Sequence, residues 1–345
     1  MNALALTLGH SCSGTTITWS NPENPHAAIF GRSGSGKSYF LHGLLEQAVQ
    51  EGAICIVLDY SNDFRGYLPP ANIPVYCTDV SNPTFTINPL AGSTPQNRET
   101  CVQNLSGLLG STFRMGNRAR LSLRSAALKY LEEVKSLPTL DGLIEFVQIQ
   151  GLWGAFYTPL KLLSSLLHSG SVPISLELSS PGLTVLTFNQ IVDKQMRSLT
   201  VELILYGIWC QRTTKHECDH PLIILLDEAQ HLNWHDSGMP VCILREGRKY
   251  GVGGWFSTQW FDNRNPDALH ALGQAALQVN FRPDDHNILP LAKVLGRGEK
   301  SQTIRYQRAL SSLQRGQFLL QRPDGKTILV NVPPREKTDT PFSQQ

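Results

Sequence analysis

Eight consecutive residues, Gly31-Arg32-Ser33-Gly34-Ser35-Gly36-Lys37-Ser38, place small residues, a lysine and a hydroxyl at the GxxxxGKS spacing that wraps a polyphosphate. Such a loop must turn successive backbone N–H groups inward, and a Cβ at Gly34 or Gly36 would block that approach or strain a positive φ. Lys37 is long enough to reach the β- and γ-phosphates, and Ser38 offers an oxygen to Mg²⁺. Far along the chain, the apolar run Leu222-Ile223-Ile224-Leu225-Leu226 delivers Asp227 and Glu228, a Walker B pattern. Asp227 is suited to hold Mg²⁺ and Glu228 to orient and polarise an attacking water. The chemistry these groups share is binding and hydrolysis of a nucleoside triphosphate. A small-molecule kinase, which must exclude a competent water, fits the acidic pair less well.

Both constellations need elements that hold them. Ala27-Ala28-Ile29-Phe30 reads as a buried strand feeding the loop, and Phe40/Leu41, Leu44/Leu45 and Ala48/Val49 recur at helical spacing until Gly52. That helix turns its N-terminal N–H groups and partial positive charge to the same anion. Further buried strands are read at Ile54–Leu58, ending in Asp59, at Leu183–Phe188 and at Gly253–Ser257, with a helix through Met196–Trp209. Strands alternating with helices predict an α/β fold, a mainly parallel sheet with helices on both faces. Between Ala91 and Pro173 the periodicity is helical, around Val102–Leu109, Leu121–Val134, Leu143–Val147 and Leu160–Leu167. The expected organisation is a small β entry segment at 1–25, a core at 26–92 and 174–333, an all-helical insertion at 93–173 and a loose tail at 334–345. Gln317–Gln321 and Thr327–Val332 flank Pro323-Asp324-Gly325 as a hairpin.

The chain has 345 residues, 41% hydrophobic and 17% charged, and no apolar run near the roughly 18 residues of a membrane span. No positively charged leader precedes the first apolar residues, so a cytoplasmic address without membrane insertion is expected. Seven scattered cysteines form no disulfide framework. Cys210, His216, Cys218 and His220 cluster, but their spacing matches no common zinc module, and a polar surface loop is the plainer reading. The formal charge is only +2, so contact with a polyanion must come from a local patch. Arg114, Arg118, Arg120 and Arg124 are such a patch or else solvated helix arginines. Arg245, Arg248 and Lys249, at spacings of three and four, read by themselves as one basic helical face. His231 and His235, with Trp234 between, suit a packed or surface role.

The phosphate loop, Asp227-Glu228-Ala229-Gln230, the run Leu244-Arg245-Glu246-Gly247-Arg248-Lys249-Tyr250-Gly251 and the strand end Ser257-Thr258-Gln259 together resemble the HerA/FtsK superfamily of ring-forming P-loop ATPases. That group includes DNA translocases, conjugative coupling proteins and type IV secretion ATPases. Ile87-Asn88-Pro89-Leu90 is a lesser echo, and the resemblance runs from about residue 24 to 332. It implies a RecA-like core, ATP and Mg²⁺ as cofactors, a homo-oligomeric ring, hexameric in the family, and translocation of double-stranded DNA. It makes Gln259 a sensor of the γ-phosphate and Arg248 an arginine finger reaching a neighbour's nucleotide, with Arg245 as the alternate and Arg282 as a further trans candidate. A nuclease, a relaxase or a secretion channel is the kind of partner implied. Two other functions stay open: a secretion or conjugation ATPase whose load is protein, and a nucleotide-gated assembly subunit. Relatives usually bring membrane segments or an N-terminal β-barrel; with neither in this sequence, a bare motor domain is the expectation.

Overall fold

A computed structural model describes residues 4–334, apart from 21–22, 65–66, 68, 71, 169, 215–218, 236–237, 260–265, 323–324 and 326. The chain opens with β1 (Leu6–Ser11), β2 (Thr16–Trp19), β3 (Ala27–Phe30), α1 (Lys37–Gln50), β4 (Ile54–Asp59) and β5 (Val75–Asp79). Four helices follow: α2 (Arg98–Thr112), α3 (Asn117–Glu133), α4 (Leu140–Ile149) and α5 (Tyr157–Leu166). Alternation resumes with β6 (Gly182–Thr187), α6 (Lys194–Thr214), β7 (Leu222–Leu226), α7 (Met239–Glu246) and β8 (Val252–Thr258). The chain continues through α8 (Pro266–Leu272), β9 (Leu277–Phe281), α9 (Asp285–Leu295), α10 (Lys300–Ser312), β10 (Gln317–Gln321) and β11 (Thr327–Asn331).

All these strands join one 11-stranded sheet in the order β2-β1-β11-β10-β9-β3-β8-β7-β4-β6-β5. From β9 to β5 every neighbour is parallel, whereas β10, β11, β1 and β2 continue it antiparallel. The α/β expectation is therefore met, and the β entry segment and the hairpin expected near the end join the sheet as an antiparallel flank. Strand alternation explains why both faces are covered. Ala27, Ile29, Cys55, Val57, Ile223 and Leu225 face a core that includes Leu41, Leu44 and Leu45 of α1. Ala28, Phe30, Ile54, Ile56, Leu58, Ile224 and Leu226 face the other core, shared with α6 and α7. Each valine, leucine, isoleucine or phenylalanine among them contributes about 1.5–3 kcal/mol by leaving water.

The helices α2 to α5 pack into that second core through Leu105, Leu123, Leu143 and Leu163. Asn88 fastens them. Its side-chain amide donates to Pro138 O at 2.9 Å and to Gly170 O at 2.8 Å, and its backbone N–H donates to Pro173 O at 3.0 Å. One fully buried amide thus ties the segment after β5 to the chain on either side of α4 and α5.

The hairpin expected near the end is present as β10 and β11, paired Gln317 to Asn331 through Gln321 to Thr327. Pro323 and Asp324 of its turn, His216 and Cys218 of the zinc-like cluster, and the tail from 335 lie outside the described residues. His220 of that cluster contacts Gly52 O at 3.0 Å through Nδ1. Among the described residues, no helix is long and apolar enough to cross a membrane. One reading is corrected: Arg245, Arg248 and Lys249 do not share a helical face, because α7 ends at Glu246 and a 3₁₀ turn takes over from Gly247 to Tyr250. A Cβ at position 247 would stand 2.7 Å from Val252 O, so the tight reversal into β8 depends on that glycine.

Candidate functional site

Parallel strands bring their C-terminal ends to one rim, where the loops after β3, β4, β7 and β8 meet. The phosphate loop leaves β3 and is held on three sides. Gly31 N–H donates to Thr258 O at 3.2 Å, Arg32 N–H to Arg282 O at 2.9 Å, and Gly316 N–H to Ser35 O at 3.0 Å. Gly34 at φ 72° and Gly36 at φ 109° occupy the left-handed region that a loop of this shape requires. At Gly36 a Cβ would also lie 3.1 Å from Gly316 N.

Lys37 opens α1 and is buried. Its ammonium donates to Gly31 O at 2.7 Å and Arg32 O at 3.1 Å. Burial lowers its pKa, and the charges of Asp227, Glu228, Asp63 and Asp284 pull it back up. Those four carboxylates come from three different loops, after β4, β7 and β9, so the sheet, not local sequence, gathers them around one cation.

Asp227 follows β7 and accepts a short hydrogen bond from the Ser61 hydroxyl. Burial raises its pKa to about 6, reinforced by Glu228 and Asp63 and opposed by the Ser61 bond. Ser38 donates its hydroxyl to Asp63 at 2.8 Å. Asp59 caps the same turn, accepting from the backbone N–H of Asp63 at 2.9 Å and of Phe64 at 3.2 Å, and burial raises its pKa to about 7. Crowded, half-desolvated carboxylates beside a serine hydroxyl and an ammonium fit a divalent cation carrying phosphate.

Glu228 stands in the left-handed region at φ 52°, ψ 45°. Its two carboxylate oxygens accept from two amides, Gln259 at the end of β8 and Gln230 in the following turn. Thr258 in turn donates to Gln230 Oε1 at 2.5 Å. The structure therefore brings Lys37, Ser38, Asp227, Glu228 and Gln259 to one place. Ser61 and Asp63 join them without having been singled out, and Gln230 joins them from within the 227–230 run, to which no role had been given. A signal for the first two existed: β4 is an apolar run ending in Asp59, and loops at that end of a parallel strand face the ligand.

Arg248 lies elsewhere. It precedes β8 at the opposite rim, where its guanidinium donates to Glu23 O at 3.4 Å and it lines a groove of about 480 Å³ with Arg297 and Arg322. Seven residues of β8 separate the rims by roughly 20 Å. Arg282 instead sits beside its own phosphate loop, 3.6 Å from Asp285. Of the arginine patch, Arg124 donates to Ser106 Oγ at 2.8 Å and Arg120 to Met115 O at 2.9 Å, while Arg114 and Arg118 are exposed. Trp234 is buried against Phe256, and His231 stacks on Tyr60 at 5.2 Å.

A family model described as the central domain of helicase HerA matches residues 20–104. The DNA import protein CedB of Sulfolobus acidocaldarius is 25% identical over 255 residues, covering 70% of this chain and 41% of that protein. This chain thus spans about two-fifths of the length of the curated relative it matches. Among solved folds, VirB4 of Thermoanaerobacter pseudethanolicus superposes with a TM-score of 0.74 at 17% identity, covering 96% of each chain. The plasmid coupling protein TrwB in complex with ADP and Mg²⁺ superposes with a TM-score of 0.64 at 15% identity, covering 96% of this chain and 91% of the other.

Proposed function

We propose that this chain, a P-loop protein of HerA/FtsK type, is an ATP hydrolase that works in a ring and uses Mg²⁺-ATP to move double-stranded DNA. The observation that carries hydrolysis is Glu228, aimed by two amides on the rim that also holds Lys37 and Ser38. In this reading the phosphate-loop N–H groups and Lys37 hold the β- and γ-phosphates. Ser38 and Asp227 would hold Mg²⁺, which when bound neutralises charge on the phosphates. Glu228 orients a water whose oxygen bonds to the γ-phosphorus as the bond to the β–γ bridging oxygen breaks; the water's proton goes to the Glu228 carboxylate, leaving ADP and phosphate. Gln259 carries the change at Glu228 into β8.

A position roughly 20 Å from its own loop supports a trans role for Arg248, whose guanidinium would meet phosphoryl oxygens of an adjoining subunit. Arg282, beside its own loop, is better placed to act in cis. The helices from 93 to 173 form the inserted unit of this reading. The DNA part draws on the kinship with HerA and CedB.

The test is ATP turnover with and without long duplex DNA across a salt series. Stimulation that fades as salt rises is expected, since phosphate contacts release counterions. No stimulation at any salt would overturn the DNA motor, and stimulation by a translocated protein alone would move the load to polypeptide.

A further inference from the structure

Next to the hydrolysis rim, on the side of the helical insertion, lies a cleft of about 710 Å³. One wall is the turn between α2 and α3 with Arg114 and the start of α3 with Arg120, another is the first turn of α6 with Lys194, and the third is the segment after Glu228 with His231 and His235. Among the described residues that line it there is no aspartate or glutamate. Of the acids around it, Asp193 accepts from Met196 N–H at 2.9 Å, Asp267 lies 3.9 Å from the outer His235, and Glu228 is held by the amides of Gln230 and Gln259. In a chain of net charge +2, a concave surface with three permanent cations and no lining carboxylate is a local concentration of positive potential.

The cations are presented by design of the backbone. Arg114 is held in the left-handed region at φ 50°, a conformation unusual for a side chain of its size, while Met115 N–H donates to Gly110 O at 3.0 Å and closes the turn. Arg120 braces that turn through Met115 O. Arg114 and Lys194, on two different elements lining the cleft, are left exposed, with no ion pair among the described residues. The floor is connected to chemistry. His231 ends the single 3₁₀ turn that begins after Glu228, stacks on Tyr60 and is fixed by Ser198 donating to its carbonyl at 3.0 Å.

We infer that this cleft binds the phosphodiester backbone of one strand of the DNA, with Arg114, Lys194 and Arg120 taking phosphates and His231 passing occupancy to Glu228. The inference rests on the DNA-motor reading and gives it a contact surface. Guanidinium and ammonium groups spaced along a groove suit a chain of repeated monoanions, and a ligand that shifts the turn Ala229–His231 necessarily shifts the residue that aims the water.

Anisotropy of a labelled duplex titrated with the full chain over a salt series tests it. The double variant Arg114→Ala/Lys194→Ala should lower the slope of log affinity against log salt by about 2, whereas Arg305→Ala/Arg308→Ala on α10 should leave it at the wild-type value. Thermal melting of each variant at the wild-type temperature checks the fold. A wild type that binds no duplex at any salt overturns the DNA reading and this site with it. A wild type that binds while the cleft variant keeps its slope, or while both double variants lose it equally, overturns the cleft alone. Inorganic phosphate that binds the wild type and not the cleft variant, while both give the same duplex slope, would assign the cleft to a free phosphate and overturn the inference.

Discussion

Glu228 adopts a conformation that costs about 1–3 kcal/mol for a residue with a Cβ, and two glutamine amides hold it there. Strain held in place by a hydrogen-bond pair is what a water-orienting carboxylate needs. Glu228→Gln should bind ATP within a few-fold of the wild type and hydrolyse it about 10²–10⁴-fold more slowly, read by nucleotide binding and phosphate release side by side. Undiminished turnover would remove Glu228 from its role. Asp227 gives a pH prediction. Its folded pKa of about 6 lies above the usual carboxylate value, so its contribution to stability is present in acid and lost as pH rises through about 6. In metal-free protein at pH 8, Asp227→Asn should therefore raise stability, by at most about 3 kcal/mol, and abolish the Mg²⁺ dependence of nucleotide binding. A melt in chelator and a Mg²⁺ titration read the two arms. The glycines, Lys37, Ser38 and the acidic pair were legible because their spacing is local. The roles of Ser61 and Asp63 were signalled only by the end of the β4 run, because what defines them is a partner on another segment: Ser61 is 166 residues from Asp227.

Strands β3, β4, β7 and β8 were legible because strands covered on both faces must be apolar throughout, as their fully buried patterns confirm. Others lacked that signal. β5 is an edge strand with Val75 and Tyr76 exposed, and β9, Leu277-Gln278-Val279-Asn280-Phe281, interleaves two amides that serve its neighbours. The helix α1 shows how one element serves both packing and site. Its buried stripe Phe40, Leu41, Leu44, Leu45 and Ala48 presses on the sheet, which fixes where Lys37 and Ser38 start. Leu44→Ala should cost about 2–5 kcal/mol of unfolding free energy in a urea titration. A loss under 1 kcal/mol would mean that α1 is not seated as described.

At the scale of the molecule, the ring proposed above would make the two rims of the sheet complementary halves of a nucleotide site: the cradle and Glu228 on one, and the groove that Arg248 lines with Arg297 and Arg322 on the other. That division predicts an outcome for mixed assemblies. Lys37→Ala and Arg248→Ala should each reduce turnover by about 10³-fold or more alone, yet regain activity when combined, because each supplies what the other lacks. No recovery on mixing would place Arg248 outside the chemistry of a neighbour. The strand that joins the rims is β8, buried at all seven positions, with Arg248 just before it and Gln259 just after. A member buried along its whole length moves as one piece, and in the proposed ring its two ends would address different molecules of ATP. Each subunit would then be a strut between its own clock and the next one, and the protomers would fire in succession rather than keep independent time.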